Sequence, residues 1–433
     1  MSSPRHSPQQ PDYQPFPYAP QTSQRRGGRR RKPSGGSRAV TVVAFLVVAA
    51  VVGGGVWMWL NRTVRLNLNG TWTDVRAGSS LGEIVEAAGL SYAPGNLVSV
   101  GGNVLEEGSG TPFSATVDGR ELGKDEMEAF RAAGNERVDL GDGTDVVEPS
   151  HEEKRVMEPR LVPYESLGAV TFVSQYGKTG HQVFTVGEVS GETVPGEVLE
   201  PAQDVVLQSV NPRPDDGRKV IAITFDDGPS AYTQRYLDIL SQHNARATFF
   251  CLGSQIPGNE SLVQAIVEQG SQVASHTQNH QQLTTVDADT LKSEVSTAFD
   301  AISNAGGGKT TVIRPPYGSF DVNSWLASGG TLSSSVIWHL DSLDWKLPGV
   351  DAIVENSTLG AWSGAIILMH DGGGNRDQDL EALPKILQKL TDEGYEFVTL
   401  SELLSLDSRI PAEVAAGTAT MPEGSSWATS IAE

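Results

Sequence analysis

The last half of the chain alternates short apolar runs with amphipathic segments, a pattern that predicts strands alternating with helices. Apolar runs of strand length stand at Val220–Phe225, Ala247–Leu252, Gln272–Ser275, Thr311–Ile313, Ser335–Leu340, Ala365–Met369 and Phe397–Leu400. Helical segments are predicted between the first four, at Tyr232–Gln242, Glu260–Gln269 and Asp289–Asn304. Strands that alternate with helices imply a parallel sheet. About seven such units predict an α/β fold whose sheet forms a closed or nearly closed barrel.

The middle of the chain carries shorter β-type runs separated by turn residues. Asn69-Gly70 joins two such runs and is a strong hairpin signal, and Ser80 with Glu83 forms a capping box that opens a helix. A hairpin followed by a helix predicts a small α+β domain over residues 61–150, for which a ubiquitin-like β-grasp is one arrangement. Residues 151–210 resemble the small all-β G5-type modules of surface proteins. The turn-rich stretch 211–218 is predicted to be a linker into a domain at 219–405, which a C-terminal tail, 406–433, follows.

Residues 39–60 form a run of 22 residues without a charge. About 20 apolar residues cross a bilayer as a helix, and Trp57 and Trp59 suit the membrane–water interface. Seven Lys or Arg residues lie between Arg25 and Arg38, just before the run. The positive-inside rule therefore predicts a single-pass membrane protein with a cytoplasmic N-terminus and an extracellular body. A buried core helix is the alternative, but the run is flanked by polar residues and has no amphipathic stripe.

Charge and composition narrow the possible partners. Residues 1–38, rich in Pro, Gln, Ser, Gly and Arg, are predicted to be a disordered cytoplasmic tail. They carry eight basic residues and one acidic residue, which leaves 24 basic and 52 acidic residues, a net charge of −28, for the remainder. Such an acidic body repels phosphate backbones, so we expect no nucleic-acid partner. Cys251 is the only cysteine, so the chain contains no internal disulfide.

Five polar clusters follow apolar runs of the last domain. They are Thr224-Phe225-Asp226-Asp227-Gly228, His276-Thr277-Gln278-Asn279-His280, Arg314-Pro315-Pro316-Tyr317-Gly318, Asp341-Ser342-Leu343-Asp344-Trp345 and Leu368-Met369-His370. Active sites of α/β barrels lie at the carboxyl ends of the strands. A core needs no carboxylate or histidine at these positions, so the clusters predict an active site.

A metal site is predicted from two of these clusters. His276 and His280 are four residues apart, so one helical turn or a tight loop can aim both imidazoles at one point. A carboxylate from Asp226-Asp227 would complete a set of two histidines and one carboxylate for a divalent ion. Neighbouring residues of a strand point to opposite sides, so the other carboxylate could act as a base toward water. An Asp pair before Gly-Pro is also typical of a turn, which leaves both interpretations open for this motif alone.

The other clusters supply the remaining groups that hydrolysis of an amide needs. His370 is the natural general acid because imidazole titrates near neutral pH, and Asp344 could orient it. Arg314 could pair with Asp226 and keep it ionised. The backbone N–H of Tyr317 could face a developing oxyanion, and Trp345 offers a flat wall for a sugar ring. A surface ion pair for Arg314 and a core position for Trp345 are the alternatives.

Together these motifs resemble the polysaccharide deacetylase family, also called the NodB-homology domain or carbohydrate esterase family four. The resemblance covers about residues 217–405 and includes all five family motifs in order. It implies a distorted (β/α) barrel, Asp226 as base, His370 as acid, Arg314 as tether of the base and Asp344 as orienter of the acid. It also implies Zn²⁺, or another divalent transition metal such as Co²⁺, on Asp227, His276 and His280. The substrate-binding residues would be Pro316, Tyr317, Trp345 and Leu368.

The family removes N-acetyl groups from chitin-like sugars or peptidoglycan and O-acetyl groups from xylan. A membrane anchor with the enzyme outside is similar to bacterial peptidoglycan N-acetylglucosamine deacetylases, which is the function we expect. Deacetylation of another polymer, such as poly-N-acetylglucosamine, chitin oligomers or xylan, is one alternative. The other is a non-catalytic surface protein that binds glycan, against which the intact Asp226 and His370 argue.

Overall fold

The computed structural model of this protein describes residues 49–59 and 61–432. The predicted tail, residues 1–38, lies outside the described residues, as do positions 39–48 and 60 of the predicted membrane span. Residues 49–59 form helix α1, whose side chains are exposed. Within the described ranges, no helix has both the length and the apolar character that crossing a membrane requires.

The chain divides into two compact units. Of the described residues, those up to Asn96 form the first unit together with Glu107–Val146, and Leu97–Glu106 with the residues from Val147 onward form the second. After α1, the elements up to residue 147 are β1 (Thr63–Leu68), β2 (Thr71–Arg76), α2 (Leu81–Ala87), β3 (Leu97–Val98), β4 (Val104–Glu106), β5 (Ser114–Val117), β6 (Arg120–Glu121), α3 (Lys124–Ala129), β7 (Arg137–Gly141) and β8 (Val146–Val147).

The first unit is a five-stranded sheet with helices. Its strand order is β2-β1-β7-β5-β6, and β1 and β7 run parallel. Asn69 and Gly70 both have positive φ, 46° and 84°, which a two-residue type I′ turn requires, so the predicted hairpin is confirmed. The predicted capping box is also confirmed, since Ser80 and Glu83 exchange side chain to backbone hydrogen bonds at the start of α2. The β-grasp and G5 likenesses stay predictions.

The second unit contains most of the secondary structure. Its strands from residue 150 are β9 (Ser150–Met157), β10 (Arg160–Val162), β11 (Val170–Gln175), β12 (Gly180–Gly187), β13 (Thr193–Glu200), β14 (Val205–Val210), β15 (Val220–Asp226), β16 (Thr248–Cys251), β17 (Gln272–Ser275), β18 (Val312–Ile313), β19 (Ser334–Val336), β20 (Leu340–Asp341), β21 (Ile366–His370), β22 (Glu396–Phe397) and β23 (Ser430–Ile431). Its helices are α4 (Thr233–Gln242), α5 (Glu260–Glu268), α6 (Ala288–Asn304), α7 (Val322–Ala327), α8 (Val350–Thr358), α9 (Asp377–Asp392), α10 (Leu400–Ser405) and α11 (Ala412–Ala415).

A large sheet organises this unit. Seven of its strands are all parallel and lie in the order β20-β21-β15-β16-β17-β18-β19, with β22 beside β15. The α/β prediction is therefore confirmed. The predicted strand Phe397–Leu400 differs, because strand β22 ends at Phe397 and helix α10 begins at Leu400.

The large sheet extends beyond the predicted domain boundary. Strand β11 pairs antiparallel with β19, and β14, β10 and β23 follow it in the sheet. Three strands of the 151–210 segment therefore join the sheet, while β9, β12 and β13 form a separate three-stranded sheet. The segment 406–433, expected as a tail, supplies α11 and the edge strand β23. Covering β19 in this way protects a sheet edge that would otherwise offer free N–H and C=O groups.

The parallel strands curl strongly. Only three residues, 337–339, join the outer strands β19 and β20, so the two strand ends can be at most about 14 Å apart. Seven flat strands would place these edges about 29 Å apart. The N–H of Ile337 donates to Ala169 O next to β11, whereas the N–H of His339 donates to Ile366 O in β21. The connecting residues thus bridge the two ends of the curled sheet.

Alternation along β15 assigns its side chains to two cores. Ile221, Ile223 and Phe225 pack outward against helices such as α4 and α9, whereas Val220 and Ala222 face the inside of the curl. Residues of α10 and α11 fill the inside at the amino ends of the strands. Thr224 and Asp226 follow on the inner face, at the carboxyl end. The parity of the strand therefore places a carboxylate inside the curl at the open end.

Candidate active site

A cavity of about 390 Å³ lies at the carboxyl ends of the parallel strands. Its lining comprises Asp226, Asp227, His276, His280, Tyr317, Trp338, Asp341, Trp345, Leu368 and His370. Residues from all five predicted clusters therefore meet at one place. Of the predicted substrate-binding residues, Tyr317, Trp345 and Leu368 line this cavity, whereas Pro316 is buried outside its lining.

Asp226 and Arg314 form a buried ion pair inside the curl. Arg314 Nη1 lies 2.8 Å from Asp226 Oδ1 and 2.7 Å from Thr224 Oγ1, and both charged side chains are almost fully buried. The guanidinium also stacks over the Phe250 ring, 4.1 Å from its centroid. Burial raises the pKa of Asp226 above its usual range, although the charge of Arg314 works in the opposite direction. The pairing expected from the sequence is present.

Asp227, His276 and His280 bring three metal-ligating atoms together. Asp227 Oδ1 lies 3.6 Å from His276 Nε2 and 3.5 Å from His280 Nε2, and all three atoms are within 4.8 Å of one another. Ligand atoms about 2.1 Å from a tetrahedral Zn²⁺ are about 3.4 Å apart, so this spacing fits such an ion. Asp227 Oδ1 is buried and has no hydrogen-bond partner in the described part of the chain, as a ligand atom would.

The protonation of His276 also suits a metal ligand. Its Nδ1 lies 2.8 Å from the carbonyl oxygen of Arg314, so Nδ1–H donates and the lone pair of Nε2 faces Asp227. Burial lowers the pKa of His276 to about 3, which keeps the imidazole neutral. The residues present therefore fit a divalent cation with nitrogen and oxygen ligands.

A tight loop, not a helical turn, holds the two histidines. Thr277 and His280 have positive φ, 71° and 58°, which turns both imidazoles toward Asp227. Glu294 of α6 braces this loop from behind: its carboxylate accepts hydrogen bonds from the Asn279 backbone N–H and side-chain amide, both at 2.7 Å. Glu294 was not predicted from the sequence, because a glutamate in a helix that follows the motif carries no distinguishing signal.

His370 is held by two hydrogen bonds to one carboxylate. Asp344 Oδ1 accepts from His370 Nδ1–H at 2.7 Å, and Oδ2 accepts from the His370 backbone N–H at 2.8 Å. Burial opposes the charged imidazole, but the hydrogen bond and charge of Asp344, with the charges of Asp226 and Asp227, raise the pKa of His370 to about 9. The imidazole is therefore protonated at neutral pH, and Nε2 remains for a substrate. This is the arrangement predicted for Asp344 and His370.

The predicted base and the predicted acid lie on neighbouring strands. Asp226 of β15 pairs in register with His370 of β21, and both side chains line the cavity. Tyr317 has a left-handed backbone, φ 62°, and its ring packs edge-on against His280 with centroids 4.8 Å apart. Trp345 is half exposed at the cavity. Trp338 and Asp341 also line it, and neither received a role from the sequence, although Asp341 stands within a recognised motif.

Comparison with known proteins agrees with these motifs. The family model "Polysaccharide deacetylase" matches residues 213–329. A peptidoglycan-N-acetylglucosamine deacetylase of Bacillus cereus is 37% identical over 209 residues, which cover 48% of this chain and 95% of that protein. The Listeria monocytogenes peptidoglycan-N-acetylglucosamine deacetylase PgdA is 40% identical over 186 residues, but they span only 39% of its length and 43% of this chain.

Among solved structures, a family 4 carbohydrate esterase from Streptomyces lividans in complex with acetate is 38% identical. The match has a TM-score of 0.39 and covers 42% of this chain and 93% of that one. The chain belongs to the polysaccharide deacetylase family.

Proposed function

We propose that this protein hydrolyses the N-acetyl groups of N-acetylglucosamine residues in peptidoglycan. The observation that carries the proposal is the pairing of Asp226 and His370. They lie on adjacent strands, face one cavity, and each is held by its own buried partner, Arg314 or Asp344. The three metal-ligating residues stand beside them. This combination suits hydrolysis of an amide, which needs a base for water and an acid for the departing amine.

Each side chain has a definite task in this reaction. Asp226 takes a proton from the water that attacks the acetyl carbonyl carbon. The C–N bond then breaks, acetate leaves, and His370 Nε2 donates its proton to the sugar amine. A divalent ion on Asp227, His276 and His280, such as Zn²⁺ or Co²⁺, would lower the pKa of water and polarise the carbonyl when bound. The dependence of the activity on a metal is part of this proposal.

Other residues of the cavity position the substrate. The backbone N–H of Tyr317 is assigned to the developing oxyanion, whose charge a preorganised donor stabilises. Trp345 offers its half-exposed ring as a platform for a sugar, and buried Leu368 offers an apolar contact for the acetyl methyl group. In this proposal the curled parallel sheet is a distorted (β/α) barrel, bridged by residues 337–339 where β19 and β20 do not pair.

The test is product analysis with the purified protein. Intact peptidoglycan and N-acetylglucosamine oligomers should release acetate and gain free amines, and His370→Ala should abolish both. Mass spectrometry of muropeptides would show which sugar loses its acetyl group. Release of acetate only from poly-N-acetylglucosamine, chitin oligomers or xylan would assign a different polymer. Binding of glycan without any acetate release would contradict an enzymatic function.

We further infer that the protein is anchored in the cell membrane through residues 39–60 with its body outside. The support is the uncharged run itself and the cluster of arginines before it. An extracellular body would meet peptidoglycan directly. Protease added to intact, wall-stripped cells should then digest the catalytic domain, and protection of that domain until lysis would reverse the orientation.

A further inference from the structure

A second buried ion pair lies behind the acid. Arg376, directly before α9, and Asp379, in the first turn of α9, are joined by Nη1 and Oδ2 atoms 3.1 Å apart. Their side chains are 4% and 0% exposed. Neither residue lines the cavity, and no motif of the sequence analysis includes them. Burying a charged pair costs desolvation free energy, so we expect this pair to have a role beside the catalytic group.

Arg376 stands between two carboxylates. Its Nη1 is 3.1 Å from Asp379 Oδ2 and 3.9 Å from Asp344 Oδ1, the same oxygen that accepts the His370 Nδ1–H. The four side chains form a row of alternating charge: His370, Asp344, Arg376, Asp379. Because water is excluded here, a shift of the guanidinium from one carboxylate toward the other changes the field at His370 more than it would at the surface.

The two distances show where the guanidinium is held. Asp379 draws Arg376 toward α9, which leaves Asp344 Oδ1 hydrogen-bonded to the imidazole. Without the charge of Asp379, Arg376 would be attracted to Asp344 alone and would compete with His370 for that oxygen. Without Arg376, Asp344 would have the imidazolium as its principal cationic partner and would hold its proton more strongly.

We propose that Arg376 and Asp379 are a positioning pair that sets how firmly Asp344 holds the proton on His370. The inference rests on the proposed function, in which His370 is the acid. The charged groups that face His370 are Asp344, which is hydrogen-bonded to it, Asp226 at the end of β15 with Asp227 directly after it, and Asp379 at the start of α9. Arg376 lies next to Asp344 and Asp379 only, so variants of the pair change the charge around Asp344 and leave Asp226 and Asp227 unchanged.

The experiment compares variants of the full chain, purified in detergent, by two readouts. The first is the alkaline limb of the pH profile of kcat/KM on N-acetylglucosamine oligomers. The second is deuterium exchange at the Cε1–H of each histidine followed by mass spectrometry, which reports the pKa of His370 whether or not the protein turns over. If the proposed function is wrong, no pH profile of kcat/KM can be measured, but deuterium exchange still gives the pKa of His370.

We expect opposite shifts from the two single variants. Asp379→Asn should lower the pKa of His370 and move the alkaline limb down by about one pH unit, because Arg376 then neutralises Asp344. Arg376→Gln should move both upward. The double variant removes both charges and should return the pKa of His370 and the alkaline limb close to those of the wild type. It also provides a test if one of the single variants folds poorly. Asp377→Asn removes an exposed carboxylate from the same first turn and should change neither readout.

The proposal would be overturned if both single variants fold and the pKa of His370 is the same in Asp379→Asn, Arg376→Gln and the wild type. The pair would then contribute only to packing. Shifts of both single variants in the same direction would overturn it as well. A loss of kcat with an unchanged pH profile would assign the pair to the shape of the site and not to the proton on His370.

Discussion

Arg314 reaches from the end of β18 across the inside of the curled sheet to Asp226 at the end of β15, three strands away. Its Nη1 is 2.8 Å from Asp226 Oδ1. Three strand spacings in a flat sheet would separate these positions by roughly 14 Å, too far for one side chain. The contact therefore exists only because the sheet curls, so the environment of the predicted base, Asp226, depends on the curvature of the sheet.

Arg314→Met should destabilise the protein by about 3–5 kcal/mol, because it leaves the carboxylate of Asp226 buried without a cation. Urea unfolding at neutral pH would measure the change. Arg235→Met is a suitable control, since Arg235 forms an ion pair with Asp377 that is exposed, and should cost less than about 1 kcal/mol. An equally small effect of Arg314→Met would mean that the pair contributes little to folding.

Asp226→Asn and His370→Ala should each lower kcat by about 10²–10⁴, because each removes one partner of the proton transfer. Both variants should retain their metal, since neither residue belongs to the metal-ligating set. Near-normal turnover in either single variant, with metal bound, would assign its role to another residue.

The activity of the wild type should fall as pH rises through about 9, because His370 can donate a proton only while it is charged. Asp344→Asn removes the principal anion that raises the pKa of His370, so the alkaline limb should move to lower pH. The stability of the fold depends on pH in the same direction. Because the pKa of His370 is raised above its value of about 6.5 in the unfolded chain, its contribution to stability is fully present below about pH 6.5 and is lost as pH rises through about 9. Activity that stays constant to pH 10 would contradict the assignment of the acid.

The metal site should bind about one equivalent of a divalent ion, and the His276→Ala, His280→Ala double variant should bind none. Glu294→Gln should weaken metal affinity about 10- to 100-fold, because the Asn279 contacts that shape the histidine loop lose a charged acceptor. Asp300→Asn, an exposed position of the same helix, is the matched control. Calorimetric titration would measure the Zn²⁺ affinity of the wild type and the three variants. Equal affinity in Glu294→Gln and the wild type would contradict the role of Glu294 in bracing the histidine loop.

Trp345→Ala should raise KM for oligosaccharides about tenfold or more with little change in kcat, because the proposed function assigns its ring to the glycan and not to the reacting atoms. Trp362 has a similarly exposed ring but lies outside the cavity lining, so Trp362→Ala should leave KM unchanged. Initial rates on oligomers of increasing length would give both constants. An unaltered KM in Trp345→Ala would place the sugar elsewhere.

Short sequence motifs were sufficient to predict which residues form the candidate site. Each motif follows a strand, and parallel strands end on the same side of a sheet, so the sequence alone predicted that Asp226, His276, Arg314, Asp344 and His370 would meet. The hairpin at Asn69-Gly70 and the capping box at Ser80 were likewise readable, because both depend on interactions between residues a few positions apart.

Other features depend on contacts between distant segments, and only the tertiary structure decided them. Glu294, Arg376 and Asp379 look like ordinary helix residues until folding places them behind the histidine loop and the acid. Strand β11 belongs to a segment that was predicted to be a separate module, yet it pairs with β19, because this pairing satisfies N–H and C=O groups that the edge of the parallel sheet would otherwise leave free. Periodicity states which face of a segment is buried, but the identity of the surface that buries it is a property of the whole fold.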